Sequence, residues 1–148
     1  MSFAKHPVWL VGFRPFFILS CLSGLTLPII WALMFSGTIG LPHSGYSIVQ
    51  WHAHEMFFGF GWALLGGFLL TATTNWVKMR GWHGNALIFL VAAWCFERIG
   101  MAFGGSWPAP LFLLSNQLFL VSLIGMLLWS LLRHREADGY RRDNLFFL

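Results

Sequence analysis

The chain has 148 residues, 57% of them hydrophobic and only 9% charged, with a mean hydropathy of +0.69. A soluble domain carries roughly 25% charged residues, so a water-soluble globule is excluded and the bilayer must solvate most of the apolar surface. The net charge of +4 follows membrane topology, as its placement shows, and gives no reason to invoke nucleic acid.

Four apolar segments lie near the ~20 residues a helix needs to cross the hydrocarbon. The first runs from about Phe16 to Ile39, with Pro15 at a favourable first-turn position and Pro28 placed to kink it. The second runs from about Gln50 to Thr73, the third from about Asn85 to Phe103, and the fourth from about Leu111 to Leu132. Turn-like sequences join them: Gly40 to Gly45, Lys78 to Gly81, and Gly104 to Pro108. The sequence therefore predicts an all-α integral membrane protein, one domain over residues 1–148, with four transmembrane helices. The first segment is longer than the roughly 7–15 apolar residues of a signal peptide, so it is read as a span. Cys21 and Cys95 fall inside spans, outside any CxxC pattern, and read as packing residues.

Basic residues set the orientation. Lys5 and Arg14 precede span 1, Lys78 and Arg80 separate spans 2 and 3, and Arg133, Arg135, Arg141 and Arg142 follow span 4. The other two connections carry none. The positive-inside rule places that side, and hence both termini, in the cytoplasm.

Span 2 opens with Trp51-His52-Ala53-His54-Glu55-Met56. Ionisable groups inside a span are costly and mark functional sites, and neutral imidazole is a common metal ligand. Glu97, Arg98 and Met101 near the end of span 3, Asn116 and Gln117 early in span 4, Met34 of span 1 and His43 share its depth. All are expected within roughly 10 Å of the outer boundary, from the helical rise per residue. On an ideal helix His52, Glu55, Met56 and Gly59 share a face, while His54 points about 200° from His52. Unless the helix begins after His52, the two histidines have different partners. The metalloprotease pattern, with two His four apart, is absent, which removes zinc hydrolysis from consideration. No Gly-rich phosphate loop, Ser-His-Asp set or catalytic carboxylate pair can be assembled.

Plainer readings stand beside these. The histidines could be solvated, with Trp51 in an aromatic belt. Arg98 meets either Glu55 across the interface, an anion such as a haem propionate, or the headgroups. Glu97 and Arg98 point about 100° apart on a helix and are expected to pair poorly. Gly59, Ala63, Gly67 and Thr71 recur every four residues, which suits tight helix packing more than room for a flat cofactor. Met56 and Met101 are soft ligands or filler. His6, His83 and His134 read as surface residues.

The chain resembles the NnrS family of bacterial multi-span membrane proteins. The resemblance rests on Gly12-Phe13-Arg14-Pro15-Phe16-Phe17, on Trp51 through Phe60, on Gly67 through Ala72 with Asn75-Trp76, on Trp94 with Arg98, and on Arg141-Arg142-Asp143-Asn144. Glu97 departs from the family's glycine. The resemblance covers most of the chain and corresponds to the N-terminal third of the family's length. The chain is thus expected to be a fragment, a short relative, or a subunit completed by copies of itself or by further membrane helices. The resemblance implies an inner-membrane protein containing haem and copper, linked to nitric oxide response or denitrification. It makes His52 and His54 the ligand candidates, with Glu55 as a further metal ligand or second-layer partner and Arg98 as a cofactor contact. Whether the chain is an enzyme stays open. The alternatives are a metal-free structural subunit or interaction module, and a quinone- or proton-handling protein working through Glu55 and Glu97.

Overall fold

A computed structural model describes residues 3–40 and 42–133. The expectations for His134, Arg135 and the Arg141 to Asn144 segment lie outside the described residues.

Helix α1, Phe13–Phe35, carries Pro15 in its first turn, where the missing N–H is one of the groups without a helical partner anyway. It stops four residues before Ile39 because Gly37 takes the left-handed conformation at φ +74°. Ser36 and Thr38 then hydrogen-bond each other at 2.8 Å. The second span is one rod of 29 residues. It comprises α2 (Ile48–His54), a π-helical segment (Glu55–Gly61) and α3 (Trp62–Trp76). Its start lies two residues before Gln50, with Ser47 as the cap. The Ser47 hydroxyl accepts from Gln50 N at 3.3 Å, and the Gln50 side chain accepts from Ser47 N at 3.0 Å. This capping box satisfies two otherwise orphaned backbone donors.

Helix α4 runs Asn85–Phe103, as the sequence predicts, and α5 runs Ala109–Arg133. Short 3-10 turns occupy Phe3–Lys5, Pro7–Leu10 and Gly104–Ser106. There is no strand among the described residues, and four helical segments are long and apolar enough to cross a membrane. Leu22, Leu25, Phe57, Phe68, Leu113 and Val121 face outward. A surface this apolar is compatible with lipid rather than water.

Two hydrogen bonds define the ends of the bundle. Gly84 N donates to Trp9 O at 2.7 Å, joining the N-terminal turns to the α3–α4 connection. Arg14, Lys78, Arg80 and Arg133 gather there, at what we term the basic end. At the far end His43 N donates to Ala102 O at 3.1 Å, which ties the α1–α2 connection to α4.

Helix α1 packs along α3, and α4 along α5. The main core joins Phe16, Ala63, Leu70, Leu87, Leu90, Trp94, Phe119 and Leu123. A smaller one, toward the far end, joins Leu27, Met34, Trp51 and Met101. Gly67 is a close-approach position, since a Cβ there would stand 2.8 Å from Phe16 Cβ. The small-residue stripe is therefore filled by neighbouring protein. Met101 is fully buried, as a packing residue.

Candidate functional site: a buried charge cluster beside a cavity

Glu55 is the first residue of the π-helical segment. Wider i→i+5 bonding, with Trp62 N–H donating to Phe57 O, inserts an extra residue into the turn. Such segments recur at functional sites. Here the segment shifts the register between the His52–His54 turn and the packed face of α3.

Glu55 and Glu97 are each 1% exposed. The side chains of His54 and Arg98 are 15% and 13% exposed. These four residues form one cluster. Arg98 Nη1 lies 3.4 Å from Glu55 Oε2, and Arg98 Nη2 lies 2.8 Å from Glu97 Oε1. His54 Nδ1 lies 3.4 Å from Glu55 Oε1, and its Nε2 lies 3.7 Å from Glu97 Oε1.

The contact between Arg98 and Glu55 across the helix interface agrees with one of the sequence readings. The expectation that Glu97 and Arg98 pair poorly is overturned, because theirs is the shortest contact of the cluster. Their backbones do diverge around the helix. Both side chains are long enough to bend into the same space, and burial leaves the guanidinium few other anions. Trp94, one turn earlier, fixes the guanidinium from below with its ring centroid 5.3 Å away. The Trp94 indole N–H donates to Gly59 O at 3.0 Å. Gly59 leaves the room that Arg98 needs, since a Cβ there would collide with Arg98 Nη1.

These contacts are close but not aligned as hydrogen bonds. Arg98 Nε, Nη1 and Nη2, Glu55 Oε1, Glu97 Oε1 and His54 Nδ1 are buried with no hydrogen-bond partner among the described residues. Native structures rarely leave buried polar atoms so poorly satisfied. The cluster is therefore either strained or completed by something else.

The two histidines are not brought together. The His52 ring stacks on Trp31 of α1, with centroids 4.5 Å apart and planes at 25°. Its Nδ1 is buried and unpartnered among the described residues. His54 turns toward α4 and packs on Phe58 at 4.8 Å and near Tyr46 at 6.2 Å. Sequence reasoning missed these aromatic neighbours. Trp94 could have been found from its i, i+4 spacing to Arg98, whereas no local signal pairs Trp31 with His52.

His54 also lines a cavity of about 540 Å³ with Tyr46, Phe58, Phe112, Leu113, Asn116 and Gln117. Small-molecule pockets span roughly 300–1,000 Å³ with mostly apolar walls and a few polar groups. The sequence places Asn116 and Gln117 at the depth of His54, and all three line this space. Asn116 Nδ2 donates to Phe112 O at 2.9 Å, which leaves its side-chain oxygen as an acceptor. His43 stays in the exposed far-end connection.

The donor set fits one imidazole ligand better than a chelate. A metal-bound histidine commonly gives its other ring N–H to a carboxylate. Each His54 nitrogen has a carboxylate beside it, Glu55 at Nδ1 and Glu97 at Nε2, so ligation through Nε2 requires the longer, 3.7 Å contact with Glu97 to open. His52, His54 and Glu55 do not converge on one point, and no group of three His, Cys, Asp or Glu side chains does so among the described residues.

The family model described as NnrS protein matches residues 7–148, essentially the whole chain. The chain belongs to the NnrS family. No curated protein matches it, nor does any solved structure.

Proposed function

We propose, with NnrS membership as the premise, that this chain forms a multi-pass protein of the bacterial inner membrane whose far end holds haem through His54, in a nitric oxide response or denitrification role. One observation carries the reading: His54 stands between an apolar-walled cavity of about 540 Å³ and two buried carboxylates. Haem bound there would supply a redox-active iron that accepts a small diatomic ligand. The chain's own residues do the rest. With haem on Nε2, Glu55 would close its 3.4 Å contact with His54 Nδ1 into a hydrogen bond and so set the tautomer and ring orientation. Arg98 balances the carboxylates and offers a fork suited to an anionic propionate. Phe58 and Phe112 exclude water from the cavity. His52, stacked on α1, serves a second centre such as copper, or a neighbouring subunit. Homo-oligomerisation or further membrane helices would cover the lipid-facing side. By the positive-inside rule the basic end is cytoplasmic.

The test is the optical spectrum of detergent-purified protein expressed with ample haem, oxidised and then reduced with dithionite. A Soret band that shifts on reduction is the expected result, and a featureless visible region would sink the haem assignment.

A second reading is favoured by the position of Arg98, which already supplies a cation between the two carboxylates. The cluster would then be a metal-free clamp joining the second and third spans in a structural subunit. In that case His54→Ala would disturb assembly, with no cofactor in either protein.

A further inference from the structure

At the basic end, a second cavity of about 350 Å³ lies between the α3–α4 connection and the last turns of α5. Arg80, His83, Trp82 and Trp129 line it, with Met79 and Ala86. We propose that it is a binding site for the phosphodiester headgroup of an anionic phospholipid.

Charge complementarity is the first argument. Arg80 and Arg133 have no carboxylate partner among the described residues, where all the ion pairs belong to the far-end cluster. Both described acidic residues, Glu55 and Glu97, lie at that other end. Arg133 stands over Trp129 with its guanidinium carbon 5.5 Å from the ring centroid. It is thereby held against a residue of the cavity wall rather than left to roam. His83 Nδ1 donates to Gly81 O at 2.8 Å, which leaves Nε2 of the neutral ring as an acceptor for a headgroup hydroxyl.

The construction of the wall is the second argument. Trp82 does not spend its indole N–H on the cavity, because it donates to Ser130 Oγ at 2.9 Å and to Met126 O at 3.2 Å. The ring is thus pinned to α5 as a rigid apolar side. Trp129 forms another, half-exposed apolar surface. Tryptophan at this depth belongs to the headgroup region. A headgroup with an acyl chain attached matches such a site, with the anion beside Arg80 and Arg133 and the glycerol and first methylenes along the indoles. Basic pockets between membrane helices recognise anionic headgroups in this way. Free phosphate would meet the same cations but gain nothing from the two tryptophans.

The test is native mass spectrometry of the full chain released from detergent, titrated with dioleoylphosphatidylglycerol and, separately, dioleoylphosphatidylcholine. Wild type should retain the anionic lipid preferentially. Arg80 and Arg133 are exposed, so their substitution leaves the fold intact. Each of Arg80→Gln and Arg133→Gln should weaken retention about fivefold, the worth of one basic residue near an anionic membrane surface. Lys5→Gln with Lys78→Gln removes from the same end, outside the cavity, the same charge as Arg80→Gln and Arg133→Gln combined, and should change retention little. Equal retention of the two lipids would overturn the proposal, even if a variant failed to fold. So would equal losses in the two charge-matched sets, which would mean diffuse attraction. Displacement of the lipid by inorganic phosphate would also overturn it, in favour of a free-phosphate site.

Discussion

The two ends of the bundle handle buried polar groups in opposite ways. Toward the basic end the polar side chains are satisfied locally. Thr71 Oγ1 accepts from Phe13 N at 3.0 Å and donates to Gly67 O at 2.9 Å. Thr74 Oγ1 donates to Thr71 O at 2.7 Å, and Ser130 Oγ donates to Met126 O at 2.9 Å while accepting from Trp82. Toward the far end Trp31, Ser44, Trp51, His52, His54, Glu55, Glu97 and Arg98 all keep buried polar atoms without a hydrogen-bond partner among the described residues. No such side-chain atom belongs to the basic end among those residues. One end is therefore built as a scaffold with its polar groups paired, and the other holds buried hydrogen-bonding capacity that the described residues do not meet.

That contrast predicts a graded response to substitution. The largest effect is expected at Arg98. Arg98→Leu leaves Glu55 and Glu97 buried without their cation, a change that typically costs about 3–5 kcal/mol. Thermal unfolding in detergent, followed by circular dichroism, should show a marked fall or loss of folded protein. Little change would mean that the carboxylates are neutral or otherwise partnered.

Next comes the π-helical segment. Deleting Phe57, which faces outward, would let the segment close into a regular α-helix and rotate His54 and Glu55 by about 100° against α3. The rod should stay helical while any cofactor bound at His54 is lost. A deletion variant that keeps its cofactor spectrum would show that the register shift has no functional part.

Glycines give a paired comparison of smaller size. Gly59→Ala drives a methyl into Arg98 and should destabilise by about 1–3 kcal/mol, the usual cost of overpacking. At Gly125 in α5, an added Cβ would meet nothing within 4 Å. Gly125→Ala should be neutral or stabilising by up to about 1 kcal/mol from helix propensity. Equal effects at the two positions would erase the distinction. The smallest effect is expected at the basic end. Trp82→Phe removes the indole N–H and leaves a smaller aromatic ring, and the lost hydrogen bond should cost about 0.5–1.5 kcal/mol. Equilibrium unfolding midpoints would register it.

Much of this arrangement is legible in the sequence, and the rest is not for identifiable reasons. Span number and all-α class follow from hydropathy, and the bounds of α4 follow from Gly84 and Gly104, which flank it. Hydropathy alone starts the second span too late, although Ser47 and Gln50 carry a capping-box signature. The shared depth of His54, Glu97, Arg98 and Asn116 can be read from helical rise and loop positions alone. The pairing of Glu97 with Arg98 cannot, because angular reasoning on Cα positions ignores how far two long side chains reach. The π-helical segment has no dependable sequence signal, and it alters every face relation drawn through Glu55. Trp31 against His52 is a contact between different spans, which no local pattern encodes.

The central claim is that the far-end cluster presents His54, rather than His52, to a ligand. The most direct measurement is the visible spectrum of His54→Ala beside that of His52→Ala, both purified in detergent with the fold verified by circular dichroism. The account predicts that the Soret band disappears in the His54 variant and persists in the His52 variant. A band that survives in His54→Ala and vanishes in His52→Ala would contradict it and move the site to the Trp31 face of α1.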